Sequence, residues 1–370
     1  MALSPLNKRR LRNFKKNRRA YVSLWIFGVL FVLSLFAEFL AYDKPILVQY
    51  RGSFYTPMVS FYSEQDFGGD FPTEADYSVP EVQCLIRSGG MEDCFDDPEG
   101  VIDGIRDGSY GDGVEGFQKG WMLWPLIPYS YDTPVNRPGV APLPPNEQNW
   151  LGTDGTKRDV LARVIHGFRL SIVFTLIVTG ASTIVGIIAG AIQGYFGGWV
   201  DLLFQRIIEI WGATPTLYVI IILFAVLGRS FWLLVAILVA FGWISLVGVV
   251  RAEFLRARNL EYVRAAKALG VSNIKIMFRH MLPNAMVATV TMLPFIVTGT
   301  ISSLAILDYL GFGLPSSAPS LGELTLQAKQ KLEAPWLAFT AFTVFAVMLS
   351  LLIFIFEGIR DAFDPRKTFS

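Results

Sequence analysis

The stretch from residue 170 to residue 200 reads LSIVFTLIVTGASTIVGIIAGAIQGYFGGWV and contains no charged side chain. An apolar run of about 18 residues or more is long enough to cross the roughly 30 Å hydrocarbon core of a membrane as a helix. Charge returns only at Arg169 on one side and at Asp201 on the other. The stretch therefore predicts a transmembrane helix, which we place at about 170–194.

Five further apolar runs have the same character. They lie at about 21–42, 208–228, 230–250, 284–307 and 336–356. The chain of 370 residues is 52% hydrophobic and only 17% charged, whereas a soluble domain carries nearer 25% charged residues. The first run is too long for the apolar part of a signal peptide, and no small-residue cleavage site follows it. The sequence thus predicts an all-α polytopic membrane protein of six transmembrane helices, the first a retained anchor.

The distribution of basic residues predicts the orientation. Residues 1–20 hold eight basic residues and no acid, and residues 251–279 hold seven bases against two acids. Short loops rich in Lys and Arg stay in the cytoplasm, so we expect the N-terminus 1–20, the loop 251–283 and the tail 362–370 there. The segment 43–165 is then periplasmic, and the helices of the core 166–361 follow it. Four bases resist this orientation, since they precede the second helix on its outer side: Lys157, Arg158, Arg163 and Arg169.

The exterior segment is acidic and contains the only two cysteines. Residues 60–120 hold fifteen acids against three bases. Cys84 and Cys94 both fall in this region, where an oxidising compartment permits a disulfide; two free thiols are the alternative. An acid cluster follows Met91, at Glu92, Asp93, Asp96, Asp97 and Glu99. It lacks the ligand spacing of a calcium loop, so a solvated acidic face is favoured and no metal site is predicted.

Residues typical of catalysis are scarce. The chain has two histidines, His166 and His280, and no Gly-x-x-x-x-Gly-Lys-Ser/Thr loop to hold nucleotide phosphates. No pair of carboxylates is recognisably arranged for acid–base chemistry. We therefore expect neither an enzyme nor a cofactor bound by this chain, and the net charge of +1 gives no indication of a nucleic-acid partner.

The loop before the fifth helix has a helical pattern of its own. One face repeats at i, i+3, i+4 and i+7, with members Tyr262, Ala265, Ala266 and Leu269. Gly270 is a plausible helix stop, and Ser272 or Asn273 caps a second helix that Pro283 ends. A basic helix–turn–helix with one apolar face indicates docking to another protein. The alternative is that both helices fold against the chain's own cytoplasmic surface.

The second predicted helix carries a small residue at every fourth position over one stretch. They are Ser182, Gly186, Gly190 and Gly194. Such stripes let helix backbones approach closely in lipid, so we interpret this one as a packing face, with a gate as the alternative. Pro215 and Pro294 predict kinks or hinges within the third and fifth helices. Asp308 is interpreted as a boundary residue that reaches the membrane interface.

The loop before the fifth helix also resembles a motif of a known family. The pattern Ala265-Ala266-x₃-Gly270-x₉-His280-x-Leu282-Pro283 is similar to the "EAA" loop of importer-type ABC-transporter permeases, with Arg264 in place of the motif's glutamate. Further matches are Leu151-Gly-Thr-Asp154, Arg158-Asp-Val-Leu161, Gly194-Tyr-Phe-Gly-Gly198-Trp-Val-Asp201, Leu310-Gly-Phe-Gly313, Pro319-Ser-Leu-Gly322-Glu323 and Arg360-Asp-Ala-Phe-Asp364-Pro365. Together, over about residues 150–367, they resemble the C-type permease of oligopeptide and dipeptide importers. Residues 82–118 do not match that pattern and are interpreted as an insertion.

The resemblance implies the rest of a machine in the bacterial inner membrane. It implies the type I importer fold with a large periplasmic insertion between helices 1 and 2. The ATPase-coupling positions would be Tyr262, Arg264, Ala265, Ala266, Leu269, Gly270, His280 and Pro283. A separate ATPase subunit would bind ATP and Mg, a second homologous permease would complete the pathway, and a periplasmic peptide-binding protein would deliver the peptide. The rival hypotheses are a self-sufficient secondary transporter or channel, which the few charges within the helices disfavour, and a membrane-anchored adaptor.

Overall fold

The computed structural model describes residues 5–111 and 114–363. Residues 1–4 of the basic N-terminus and 364–370 of the predicted tail, with Asp364 and Pro365, lie outside the described residues. The chain divides into two compact units. One is Leu33–His166, which we call the lobe, and the other is the remainder, which we call the helical unit.

The helices and strands have the following bounds. In the first half of the chain they are α1 Pro5–Lys16, α2 Arg18–Leu35, α3 Ala37–Leu40, β1 Leu47–Tyr50, β2 Ser53–Tyr55, α4 Pro80–Ser88, α5 Asp93–Asp96, α6 Pro98–Asp107 and β3 Trp121–Leu123. In the second half they are α7 Val160–Phe196, α8 Gly198–Ala213, α9 Thr216–Leu227, α10 Phe231–Gly242, α11 Ile244–Ala257, α12 Glu261–Ala268, α13 Asn273–Lys275, α14 Leu282–Tyr309, α15 Leu321–Gln330 and α16 Pro335–Phe363. A 3₁₀ turn covers Glu64–Phe67, and a π-helical turn covers Ile276–Met281.

Six segments of the described chain are long and apolar enough to cross a membrane if one bent pair is taken as a single span. Five are continuous: Arg18–Leu35, Val160–Phe196, Phe231–Ala257, Asn273–Tyr309 and Pro335–Phe363. The sixth joins α8 and α9, which meet at a bend of 70°. These segments correspond in order to the six predicted helices, and the prediction of a polytopic helical membrane protein is confirmed.

Several predicted bounds were wrong for a physical reason. The first helix ends at Leu35 and a short helix follows, so the segment 21–42 is broken near Phe36. The second helix begins at Val160, well before residue 170. The apolar run alone could not reveal this start, because the first turns of α7 carry Arg163 and His166.

Two prolines also behave differently from the prediction. The third span is interrupted rather than kinked, because Pro215 is the N-cap of α9 and lies two residues after the end of α8. Pro283 lies in the first turn of α14, directly after the π-helical turn Ile276–Met281. It therefore begins a long helix and does not end a short one, and the chain is helical from Asn273 to Tyr309.

Close backbone contact between α7 and α11 organises the helical unit. A Cβ atom on Gly190 would lie 2.8 Å from the main-chain oxygen of Val247, and one on Gly194 would lie 2.6 Å from that of Arg251. A Cβ atom on Gly186 would likewise lie 2.8 Å from the main-chain oxygen of Trp243. The small-residue stripe of α7 thus lies against the backbone of α11 and the turn before it. Packing of this kind associates helices in lipid.

The lobe has a core typical of a water-soluble domain. Its three-stranded antiparallel sheet has the order β2-β1-β3. Phe67 is fully buried and makes edge-to-face contacts with surrounding tyrosine rings, those of Tyr50, Tyr55, Tyr62 and Tyr77. A disulfide joins Cys84 in α4 to Cys94 in α5 across a Cα–Cα distance of 5.6 Å.

Residues of α4 within the segment 82–118 are part of this core. Val82 and Ile86 pack in the same cluster as Tyr50 and Phe67. The acids of α5 and of the turns beside it are exposed; Asp93 accepts a hydrogen bond from the hydroxyl of Tyr110, which lies 2.6 Å away. Partial burial, together with this hydrogen bond and the negative charge of Asp93, raises the pKa of Tyr110 to about 12.

Candidate coupling site

Helix α12 has a buried face, which we call inward, and an exposed face, which we call outward. Val263 and Ala266 are buried, and they pack with the buried side chains of the π-helical turn, Ile276, Met277 and Met281. Tyr262, Ala265 and Leu269 are exposed. The positions that the sequence grouped on one face are therefore divided: Ala266 supports the loop from inside, and the other three form an outward apolar surface.

The loop after α12 is fixed by its main chain. Gly270 adopts a φ of +75°, a conformation that side chains with a Cβ rarely adopt, and its N–H donates to the carbonyl oxygen of Lys267. Ser272 is the N-cap of α13, although its side chain makes no capping hydrogen bond. Asn273 instead accepts a hydrogen bond from the hydroxyl of Tyr195 on α7, at 2.6 Å.

The outward surface continues beyond α12. Leu269 is 83% exposed, Ile274 72% and Phe278 54%. Behind Ile274 and Phe278 lies an apolar cavity of about 260 Å³, which Ile188 and Phe196 also line. Exposed apolar side chains grouped on a short loop are typical of a protein contact.

Basic side chains surround this surface. Arg264, Lys267, Lys275 and Arg279 are all exposed. No ion pair with them occurs in the part of the chain that the structure describes. His280 is half-buried, and Pro283 is exposed at the start of α14. The loop therefore presents an apolar centre with a positive rim.

Two contacts connect α12 and its neighbours to the membrane helices. The amide of Asn284 on α14 donates to the hydroxyl of Tyr262 at 3.1 Å. Arg251 on α11 donates two hydrogen bonds of 2.6 Å to the two carboxylate oxygens of Asp201 on α8. A bidentate pair fixes both position and orientation, so it holds α8 and α11 together. Sequence reasoning quoted Asp201 within a motif but could not identify its partner, which lies 50 residues away.

Asp308 is a buried anchor and not the interface residue that the sequence indicated. Its side chain accepts hydrogen bonds from the N–H of Leu314, at 2.8 Å, and from the hydroxyl of Ser320. Gly313 and Gly322 lie so close to this carboxylate that a Cβ on either would collide with it. The glycines of the two quoted motifs near the C-terminus thus accommodate Asp308, which holds the loop between α14 and α15.

The motif Leu151–Asp154 contacts two of the four bases that opposed the predicted orientation. Asp154 is fully buried and accepts hydrogen bonds of 2.9 Å from the main chain and the side chain of Arg158, and Arg163 lies 3.4 Å away. Burial raises the pKa of Asp154, but the guanidinium groups of Arg163 and Arg158 outweigh it and hold that pKa below its usual value. Asp159 accepts from the N–H of Ala162 at the start of α7. Asp154 thus offsets part of the positive charge of Arg158 and Arg163.

Comparisons with known proteins agree with this architecture. Residues 182–369 match the model of the family described as binding-protein-dependent transport system inner membrane component, and residues 4–68 match the N-terminal transmembrane domain of oligopeptide transport permease C. The chain belongs to this family of ABC importer permeases, whose members are membrane transport subunits and not enzymes.

Two relatives match over nearly the whole chain. The inner membrane ABC transporter permease protein YejE of Escherichia coli K12 is 52% identical over 99% of this chain and 98% of its own length. The peptidoglycan transport system permease protein YejE of Agrobacterium fabrum is 50% identical over 99% of this chain and 94% of its own length. The oligopeptide transport system permease protein OppC of Bacillus subtilis is 32% identical over 61% of this chain and 74% of its own length.

The matches to these relatives do not place any gap along the chain, so the interpretation of residues 82–118 as an insertion stays a prediction.

Proposed function

We propose that this chain is the permease subunit of an ATP-driven importer that moves peptides across the inner membrane, with ATP hydrolysed on a separate subunit. The observation that carries the proposal is the outward surface of α12, apolar at its centre and basic at its rim. A surface of this kind on a membrane protein of the ABC importer family suits a soluble partner better than lipid. A self-sufficient transporter or channel would have no use for it.

The proposed coupling follows from how α12 is held. Tyr262, Ala265 and Leu269 would contact the ATPase, with Arg264 at the edge of the contact. The inward residues Val263 and Ala266 would transmit its movement to the π-helical turn and α14. Because packed helices move as rigid bodies, closure of the ATPase would shift α14 and the elements that are connected to it.

The remaining partners and the orientation belong to the same proposal. The loop that contains α12 lies in the cytoplasm with both termini, the lobe lies in the periplasm, a second homologous permease completes the pathway, and a peptide-binding protein delivers the cargo. The pairing of Arg158 and Arg163 with Asp154 supports this orientation, since the carboxylate offsets part of the positive charge that opposed it.

Peptide cargo is supported by the printed names of the relatives. The Bacillus subtilis relative is called an oligopeptide transport permease and the Agrobacterium fabrum relative a peptidoglycan transport permease. Peptide units are common to both kinds of cargo. A peptidoglycan-derived peptide is therefore the second candidate substrate, beside an unmodified oligopeptide.

The test is uptake by the complete transporter in sealed vesicles. We expect labelled oligopeptide to accumulate only when ATP, the ATPase subunit and the binding protein are all supplied. A partner whose P-loop lysine is replaced should support assembly without uptake. Accumulation that persists without ATP, driven by an ion gradient, would contradict the proposal and favour a secondary transporter. Supplying a peptidoglycan-derived peptide in parallel decides between the two cargo classes.

A further inference from the structure

Within the helical unit, a cavity of about 470 Å³ lies beside the break between α8 and α9. Thr216 is the first residue of α9, after the break at Pro215, and Gly242 is the last residue of α10. Both line the cavity, together with residues of α7, α11 and α14. Interrupted helices are tolerated at membrane depth where the backbone is buried in protein or lines a water-filled space.

The lining of this cavity is uncharged but contains hydroxyl groups. They belong to Ser182, Thr216, Ser245, Thr300 and Ser303. The other described lining residues are apolar or glycine, and none carries a charge. A hydroxyl in an apolar environment costs free energy unless it is hydrogen-bonded. A purely apolar occupant such as a lipid chain would therefore offer no partner to a hydroxyl that has none within the protein.

Ser182 provides the sharpest evidence for a polar guest. It is 2% exposed, and its Oγ has no hydrogen-bond partner in the described residues. Ser245 donates to the carbonyl oxygen of Gly242 at 2.7 Å, and Thr300 donates to that of Ile296 at 2.8 Å. The oxygens of these two hydroxyls can still accept. The cavity thus offers donors and acceptors at once.

We infer that this cavity binds the main chain of the transported peptide. The inference rests on the proposed function and adds the residues that contact the cargo. A peptide backbone alternates N–H and C=O groups, which match hydroxyls that both donate and accept. Because no charged residue lines the cavity, side-chain charge of the cargo has no partner there. The volume lies within the roughly 300–1,000 Å³ of small-molecule pockets.

The first experiment fills the cavity. A Cβ on Gly299 would meet no atom within 4 Å, so Gly299→Leu occupies the cavity without forcing the backbone apart. Gly180 is equally open but does not line the cavity, which makes Gly180→Leu the matched control. In vesicles that contain the complete transporter, Gly299→Leu should reduce uptake of labelled trialanine at least about tenfold. Gly180→Leu should resemble the unaltered protein, and both should retain the ATPase subunit.

The second experiment detects the peptide at the site. Cys84 and Cys94, the only cysteines of this chain, form a disulfide, so an introduced cysteine is the sole free thiol of this subunit. Trialanine should slow maleimide labelling of Ser303→Cys severalfold. It should leave labelling of Phe342→Cys, an exposed position on α16, unchanged. Ala-Lys-Ala and Ala-Glu-Ala should protect Ser303→Cys about as well as trialanine does.

The outcomes separate the inference from the function on which it rests. If the unaltered transporter takes up no peptide, both fall. If it takes up peptide while Gly299→Leu does so equally well, or if peptide leaves labelling of Ser303→Cys unchanged, only the cavity assignment is overturned. Protection by one charged tripeptide and not by the other would overturn recognition through the main chain.

Discussion

The lobe and the helical unit are held together in different ways. Phe67 and the tyrosines around it fill the core of the lobe, and a disulfide links α4 to α5 beside that core. In the helical unit, Gly186, Gly190 and Gly194 bring the backbones of α7 and α11 into contact. The lobe is thus stabilised by large aromatic side chains, whereas the helical unit uses glycines that let helix backbones touch.

The difference reflects the solvent of each region. In water, burial of apolar area is the main favourable contribution to folding, and aromatic side chains bury the most. Lipid is as apolar as a leucine side chain, so helices in it gain most from close backbone packing. The two regions should therefore respond differently to the same kind of substitution.

The largest effect is expected from Gly190→Leu. The new side chain would collide with the main-chain oxygen of Val247 and with Cβ of Val250, both 2.8 Å from its Cβ. Backbone cannot move aside as a flexible side chain can, so overpacking should cost roughly 3 kcal/mol or more. We expect severalfold less folded protein after detergent extraction, measured by size-exclusion chromatography. Gly180→Leu, on the open side of the same helix, should extract normally. Equal yields of the two variants would show that the α7–α11 contact is not what holds these helices together.

A smaller effect, confined to the lobe, is expected when the disulfide is removed. Replacing Cys84 and Cys94 together by serine restores chain entropy to the unfolded lobe, which should destabilise it by about 2–3 kcal/mol. Proteolysis of the lobe should accelerate while the helical unit stays intact, as judged by the sizes of the fragments. A variant that is no more sensitive than the unaltered protein would mean that the aromatic core alone determines the stability of the lobe.

The smallest effect is expected from the exposed acids of the lobe. Glu92→Gln, Asp96→Asn and Glu99→Gln change charge without touching Asp93 or Asp97, whose side chains accept local hydrogen bonds. If the acids steer a basic patch on the binding protein, half-maximal uptake should need about two- to threefold more binding protein at low salt. The difference should vanish at high salt. An unchanged curve at low salt would leave the acids with no role beyond hydration.

The sequence predicted the parts of the fold that depend on composition. Six apolar runs identified the spans, since lipid demands long uncharged helices. It failed where tertiary contacts decide the outcome. The start of α7 at Val160 depends on charges that are paired with residues of the preceding loop. The burial of Asp308 depends on a loop that folds back to bring Leu314 and Ser320 to it.

The sequence predicted the coupling site only in part, because tertiary contacts also decide which side of α12 is buried. Helical spacing located the pattern 262, 265, 266 and 269, and Gly270 marked its end. Spacing could not show that Ala266 turns inward while Ala265 turns outward, because both lie near the centre of the same stripe. That distinction comes from packing against Ile276 and Met281. A bulky residue at Ala266 would therefore disturb the protein's own core, and Ala265 is the position that tests docking.

The amount of ATPase subunit that co-purifies with Ala265→Trp tests the account most directly. Ala265 is exposed at the centre of the outward surface, so tryptophan there should leave the fold intact and hold the ATPase away. We expect co-purified ATPase to fall at least about tenfold, the scale of a disrupted interface centre, at unchanged membrane abundance. Val226→Trp, at an exposed position on α9, is the control and should retain the ATPase. Full co-purification and normal peptide uptake by Ala265→Trp would contradict the claim that α12 couples this permease to its ATPase.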